Sequence, residues 1–361
     1  MRKLRRFILQ VALALAGGAW GAAPAAPGPI EYGVVHELPL PGDEGWDYLA
    51  LEPGGHRLFI AHGSRVLVLD TVTLTVSGEI ANTPGVHGIA FAPELNRGYV
   101  SAGQAGLIVV FDLKTLARLK EISATGANPD AILYDPFTRR VFSFNGRGRN
   151  ATALDATTGT VIGTIALDAK PEFAVGDARG HVYVNLEDRS SLARIDPHTL
   201  AVTAVWPIAG CEYPSGLALD AAAQRLFQVC ANKVMAVVDG TNGRVLGTAP
   251  IGAGVDAAAF DPGSHLAFAS CGEGVLSVVA VSSEGAPELV QSLPTRRGAR
   301  TLALDARSHR IYLVTADFGP PPAATPEQPH PRPQLLPGTF RLLVAEPLRA
   351  AAANTAPGEN K

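Results

Sequence analysis

Residues 129–167, PDAILYDPFTRRVFSFNGRGRNATALDATTGTVIGTIAL, carry the pattern that decides the fold. Four short apolar or alternating runs, at 131–134, 141–144, 151–154 and 161–165, are separated by DPFTR, NGRGRN and DATTG, each rich in turn formers. Such a unit is a small antiparallel sheet, apolar on both faces and without a core of its own. It needs neighbours, and six other segments copy its plan. Phe59, Tyr99, Phe142, Tyr183, Phe227, Phe268 and Tyr312 follow one another at 40, 43, 41, 44, 41 and 44 residues, the period of a four-stranded propeller blade. Arg57, Arg97, Arg140, Arg225 and Arg310 stand two positions before five of these aromatics. A second marker keeps the same phase: Asp70, Asp112, Asp155 and Asp196 each precede a threonine by three, and Asp239 precedes Asn242. An aspartate at a turn start accepts from the backbone amide two residues on, so this marker is structural and closes the outer hairpin.

The expected fold is all-β: a seven-bladed propeller of four-stranded antiparallel blades spanning 31–347, with units near 46–82, 87–124, 129–167, 171–208, 214–251, 255–294 and 299–345. The last unit lacks a fourth strand. The alternating run 32–40 can supply it, pairing the two chain ends in one blade and removing an open edge. Residues 316–338, ADFGPPPAATPEQPHPRPQLLPG, interrupt that blade as a Pro-rich insert expected to lie extended over one face, either as a tolerated insertion or as a lid or docking loop.

Four basic residues within positions 1–6, an apolar run at 7–16 and small residues after it read as a signal peptide over 1–23, followed by a Pro/Ala linker at 24–30. Residues 348–361 read as a disordered tail. After cleavage no run is apolar enough to span a bilayer, and an exported, periplasmic monomer is expected. Loss of the leader's four charges takes the formal net charge of −3 to −7, which with the acidic ring described below disfavours a nucleic-acid partner.

GWDYLALEP, PGVHGIAFAP, NPDAILYDP, KPEFAVGDA, GVDAAAFDP, RGARTLALDA and the ADFGPPP insert resemble the YncE-like, YVTN-repeat β-propellers of bacterial periplasms, over essentially the whole mature chain. The resemblance implies a WD40-like repeat fold and a binding or accessory role. Blade six departs from the pattern, with Leu266 in place of the arginine and Ala280 in place of the turn aspartate.

In a propeller the innermost strand of each blade lines the central channel. Aligned on the following turn, the residues that begin those strands at the mouth are Asp47, His87, Asp130, Glu172, Ser215, Asp256 and Arg300. Such a ring either solvates the mouth and bonds loop amides, or binds a ligand or a divalent cation, or performs acid–base chemistry. Trp46, Tyr48 and Phe173 beside it line the mouth or pack between blades. His62, Asn145, Cys230, Cys271 and Thr315 end second strands on the same face, with His62 read as a solvated loop histidine. Arg147 with Arg149, and Arg296 with Arg297 and Arg300, are basic runs that either hold an anion or are simply solvated. Pairing Asp220 with Arg225 sets Ser215 opposite Cys230, and a folded-back GCEYPSG loop brings Cys211 to it. Cys211–Cys230 is therefore the preferred disulfide, with Cys271 competing or free. Three thiols with His62 match no zinc motif. HExxH, GxSxG, P-loop, GxGxxG and CxxCH signatures are absent, so nucleotide, flavin and haem chemistries lose their usual marks.

The expected function is non-catalytic binding of a small molecule, ion or peptide, or of a periplasmic or outer-membrane protein, through the channel face. A metal-dependent, lactonase-like hydrolase and an accessory subunit of a redox or uptake system are the alternatives.

Overall fold

Turn chemistry builds each blade from the outside. Asp70 accepts from the amides of Val72 and Thr73 at 2.9 and 2.8 Å and from the Thr73 hydroxyl. Asp112, Asp155, Asp196 and Asp239 repeat the arrangement. Backbone amides favour the ionised form and hold Asp70, Asp112, Asp155 and Asp196 below the usual carboxylate range. In blade six, where Ala280 replaces the aspartate, the strand runs on to Val281 and the Ser282 hydroxyl accepts from Glu284 and Ala286 instead.

The computed structural model of the protein describes residues 30–323, 325, 331 and 333–348. The segment expected to be a signal peptide, residues 24–29 of the expected linker, residues 324, 326–330 and 332 of the insert and the expected tail beyond Leu348 lie outside the described residues. Seven four-stranded antiparallel sheets form a seven-bladed propeller. Their innermost strands are Trp46–Leu51, Val86–Ala92, Pro129–Asp135, Pro171–Gly176, Pro214–Asp220, Val255–Asp261 and Leu302–Asp305. No helix among the described residues is long and apolar enough to cross a membrane.

Burial happens between blades. Seven hydrophobic clusters among the described residues correspond to the seven blade–blade contacts, including the one that joins blade seven to blade one. The repeat markers are part of these contacts: the Tyr99 hydroxyl donates to Ala156 O at 2.7 Å, and Arg140 donates to Pro197 O and His198 O at 2.5 and 2.6 Å, each reaching into the next blade. Where Leu266 replaces the arginine, His309 of blade seven instead contacts Asp261 of blade six, Nδ1 to Oδ2 at 2.6 Å.

Closure uses the N-terminal strand. Tyr32–Pro39 pairs antiparallel with Arg341–Pro347 as the outermost strand of the last blade. The buried Tyr32 ring meets Phe268 edge-on at 5.1 Å, and the Gln291 amide both accepts from Tyr32 N and donates to Tyr32 O. Tyr32→Ala, which empties the seam between blades six and seven, is expected to cost about 3 kcal/mol in urea unfolding. A change within about 0.5 kcal/mol, the ordinary range for a surface site, would show that this strand does not hold the circle shut.

Candidate functional site

The backbone delivers the ring residues by one repeated device. Asp47, His87, Asp130, Glu172, Ser215 and Asp256 are each the second residue of an innermost strand, and in all six blades the register slips there. A bulge of this kind leaves a residue out of the ladder and re-aims its side chain. The residue two places earlier takes a left-handed φ in five blades, at Gly85, Asn128, Tyr213, Gly254 and Gly298. Carbonyls of the ring residues are caught by the preceding blade: Ser101 donates to Asp130 O, Asn185 to Ser215 O, and Ser270 to Arg300 O. The slip also corrects the expected pairing, because Pro214 and not Ser215 stands opposite Cys230.

Around the mouth the charges sort into three groups. His87 Nδ1 lies 2.5 Å from Asp47 Oδ2 and 3.8 Å from Asp130 Oδ1. Lys170 contacts both Glu172 and Glu187. Arg300 pairs with Asp256 at 3.2 Å and donates to Trp46 O at 3.4 Å. Burial pushes Asp130 up to about 6, against the pull of His87, and pushes Glu172 up to about 8, with Asp130 adding to it and Lys170 opposing. Burial also raises Asp256 despite Arg300. On His87 burial opposes the charge, but Asp47 and Asp130 outweigh it and raise its pKa. Tyr48 packs on Phe173 of the opposite blade at 5.0 Å, and burial together with Asp130, Glu172, Asp47 and Asp256 holds its phenol protonated. One donor atom from each of Asp47, His87 and Asp130 falls within 4.8 Å of the others, close enough to hold a divalent cation.

Beside this ring opens a cavity of about 530 Å³, walled by Trp46, Arg297, Arg300, Phe318, Pro333 and Leu335, with glycine backbone completing it. Phe318, Pro333 and Leu335 belong to the insert, whose two stems bridge at Phe318 and Leu335 and exchange further bonds from Gly319 N to Gln334 O and Leu336 N to Asp317 O. Arg341 ties Glu37 and Asp317 at 2.7 Å each, Arg296 ties Glu37 at 2.7 Å, and the Gly338 amide donates to Asp43 at 2.6 Å. The described insert is thus anchored over blades one and seven. Gly298 permits the approach: a Cβ there would stand 2.6 Å from the Phe318 ring.

Not every expected residue joins the site. The Ser215 hydroxyl turns to Val229 O and Val255 O, with no base on it among the described residues. Asp256 is held by Arg300 and is not among the three donors that Asp47, His87 and Asp130 bring together, although its charge acts on Asp130. His62, expected in solvent, is fully buried and stacked on Phe340 at 4.4 Å, and burial lowers its pKa. Asn145, Cys271 and Thr315 are buried as well, so these strand ends form wall and not mouth. Cys211 and Cys230 form a disulfide, Cα atoms 5.4 Å apart, while Cys271 is free and burial pushes its thiol up to about 11. Arg149 pairs with Asp188. Sequence reasoning missed Lys170 and Glu187. Lys170 sits two places before Glu172, where most blades carry glycine, and that unusual residue was the available signal.

No family model matches the chain. Over 121 residues, 34% of its length, it is 31% identical to Antigen Lp49 of Leptospira interrogans, and the match spans 23% of that protein, about a quarter. Among solved structures, Kuenenia stuttgartiensis hydrazine synthase superposes with a TM-score of 0.65 at 16% identity, covering 76% of this chain and 93% of that one. A chain of the mitotic checkpoint complex gives 0.69 at 13% identity, covering 94% and 99%. At these identities the structural likeness is one of fold.

Asp130, Glu172 and His87 all bind protons more tightly folded than unfolded. Their contribution to stability is complete at low pH and is lost as pH rises through folded values of about 6 for Asp130 and about 8 for Glu172. The turn aspartates, with lowered values, contribute above their unfolded 3.8 and lose that contribution as pH falls. Stability is therefore expected to peak in mild acid and decline from about pH 5 to about pH 8, with Glu172→Gln flattening the decline. Urea midpoints that rise over that interval, or a slope unchanged by Glu172→Gln, would contradict the buried ring.

Proposed function

We propose that the protein is a periplasmic, YncE-like propeller that acts as a non-catalytic binding or accessory protein, holding a small ligand at its channel face. The observation that carries the reading is the cavity of about 530 Å³ between the ring and the anchored insert. Its volume falls within the range of small-molecule sites, and its walls combine aromatic and aliphatic surface with a few fixed polar groups. Rigidity supports it further. Loops fixed by ion pairs on closed sheets surrender little conformational entropy when a ligand arrives, so few contacts suffice. The basic, then apolar run at the start of the sequence supports export.

A library of small metabolites screened by thermal shift against the mature protein is expected to return stabilising ligands. Their affinity should fall about tenfold or more in Phe318→Ala with Leu335→Ala, which strips the insert's side of the cavity. Ligands indifferent to that double substitution would place binding elsewhere, and an empty screen would remove the small-ligand role.

The hydrolase reading draws on a different observation, the three donors of Asp47, His87 and Asp130. It predicts stoichiometric divalent metal by elemental analysis, lost in Asp130→Ala. Protein that takes up no Ca²⁺, Mg²⁺, Mn²⁺ or Zn²⁺ would remove this reading and leave His87 as the proton-bearing partner of its two carboxylates.

A further inference from the structure

We infer that the cavity under the insert is a receptor for a small apolar carboxylate, a molecule with an aromatic or aliphatic body and one anionic end. This rests on the binding role proposed above and names its ligand class.

Of the three arginines at 296, 297 and 300, two are neutralised. Arg296 is bound to Glu37 at 2.7 Å and Arg300 to Asp256 at 3.2 Å. Arg297 has no carboxylate partner among the described residues. Its guanidinium lies 5.7 Å from the centroid of the Phe318 ring, and both side chains line the cavity. Stacking on an aromatic face holds a guanidinium in place while leaving its N–H edge for a planar anion.

The remaining walls decide what accompanies the charge. Trp46, Phe318, Pro333 and Leu335 offer apolar surface, and the Trp46 indole N–H has no partner among the described residues. A ligand polar throughout would lose its hydration against these walls without replacement bonds. A cation would meet the unpaired charge of Arg297 in a lining that contains no carboxylate, and Asp256 is already bound to Arg300 of the cavity wall. A phosphate dianion calls for more donors than one unpaired guanidinium in an apolar cup supplies, whereas a carboxylate matches it with two parallel bonds. The carboxylate would sit at Arg297, the apolar body between Trp46 and the Phe318–Leu335 bridge.

The test is calorimetric titration of the mature protein with 3-phenylpropionate, indole-3-acetate and octanoate, and with 3-phenylpropan-1-ol as the uncharged counterpart. At least one carboxylate is expected to bind, the alcohol about tenfold more weakly than phenylpropionate, and Arg297→Gln should erase that difference while leaving the melting temperature unchanged. Arg147→Gln, an exposed arginine elsewhere, should change nothing. No binding by any of the three acids at about 10 mM, equal binding of acid and alcohol, or acid binding unaffected by Arg297→Gln would each overturn the inference. Should the acids fail while the metabolite screen yields ligands sensitive to the Phe318/Leu335 substitution, the ligand class falls and the cup stands. Failure of both removes both.

Discussion

A single blade cannot bury itself. Its sheet is apolar on both faces, and each of the large buried clusters among the described residues lies between two blades, so the circle must close before any blade is stable. Closure falls to the chain's own ends: Tyr32–Pro39 completes the blade begun by Leu302–Asp305, and Gln291 of the preceding blade grips Tyr32 through its backbone. Every other feature, the mouth included, inherits its position from that seam.

The same economy of repetition builds the site. A one-residue bulge occurs where six of the inner strands begin, preceded in four of them by a left-handed residue, and the bulge carries Asp in three blades and His, Glu or Ser in the others. The scaffold fixes where seven side chains go; their identities set the chemistry. Here the outcome is a ring in which acids outnumber bases, balanced locally by His87, by Lys170 and by Arg300. Burial then forces part of that ring to keep protons it would lose in water. The cavity beside it has the opposite bias, with Arg297 unmatched by any described carboxylate and Phe318 and Leu335 facing Trp46.

Much of this is legible in the sequence because turns are chemically explicit. Asp70–Thr73 and its copies mark hairpins through bonds that only a short acceptor can make, and the aromatic two residues after each arginine marks an interblade contact. The ring positions followed from the same phase. What escaped were effects that no turn residue announces. A bulge displaces the register by one between two correct hairpin signals, which is why Pro214 took the place assigned to Ser215 opposite Cys230. Burial at a strand end depends on what the neighbouring blade and the insert lay over it, and so His62 was read as solvated although Phe340 covers it. Lys170 escaped because its role comes from reaching across the strand start to Glu187 in a short 3-10 turn, a contact with no local signature.

Convergence of separate blades on one mouth is the central physical claim, and the His87 imidazole reports on it, since its two carboxylate neighbours come from the blades on either side. NMR titration of His87 is the direct measurement. Expected is a pKa above the ordinary histidine value, falling separately on Asp47→Asn and on Asp130→Asn. A His87 that titrates at or below the ordinary value, indifferent to both substitutions, would mean that the three blades do not meet there.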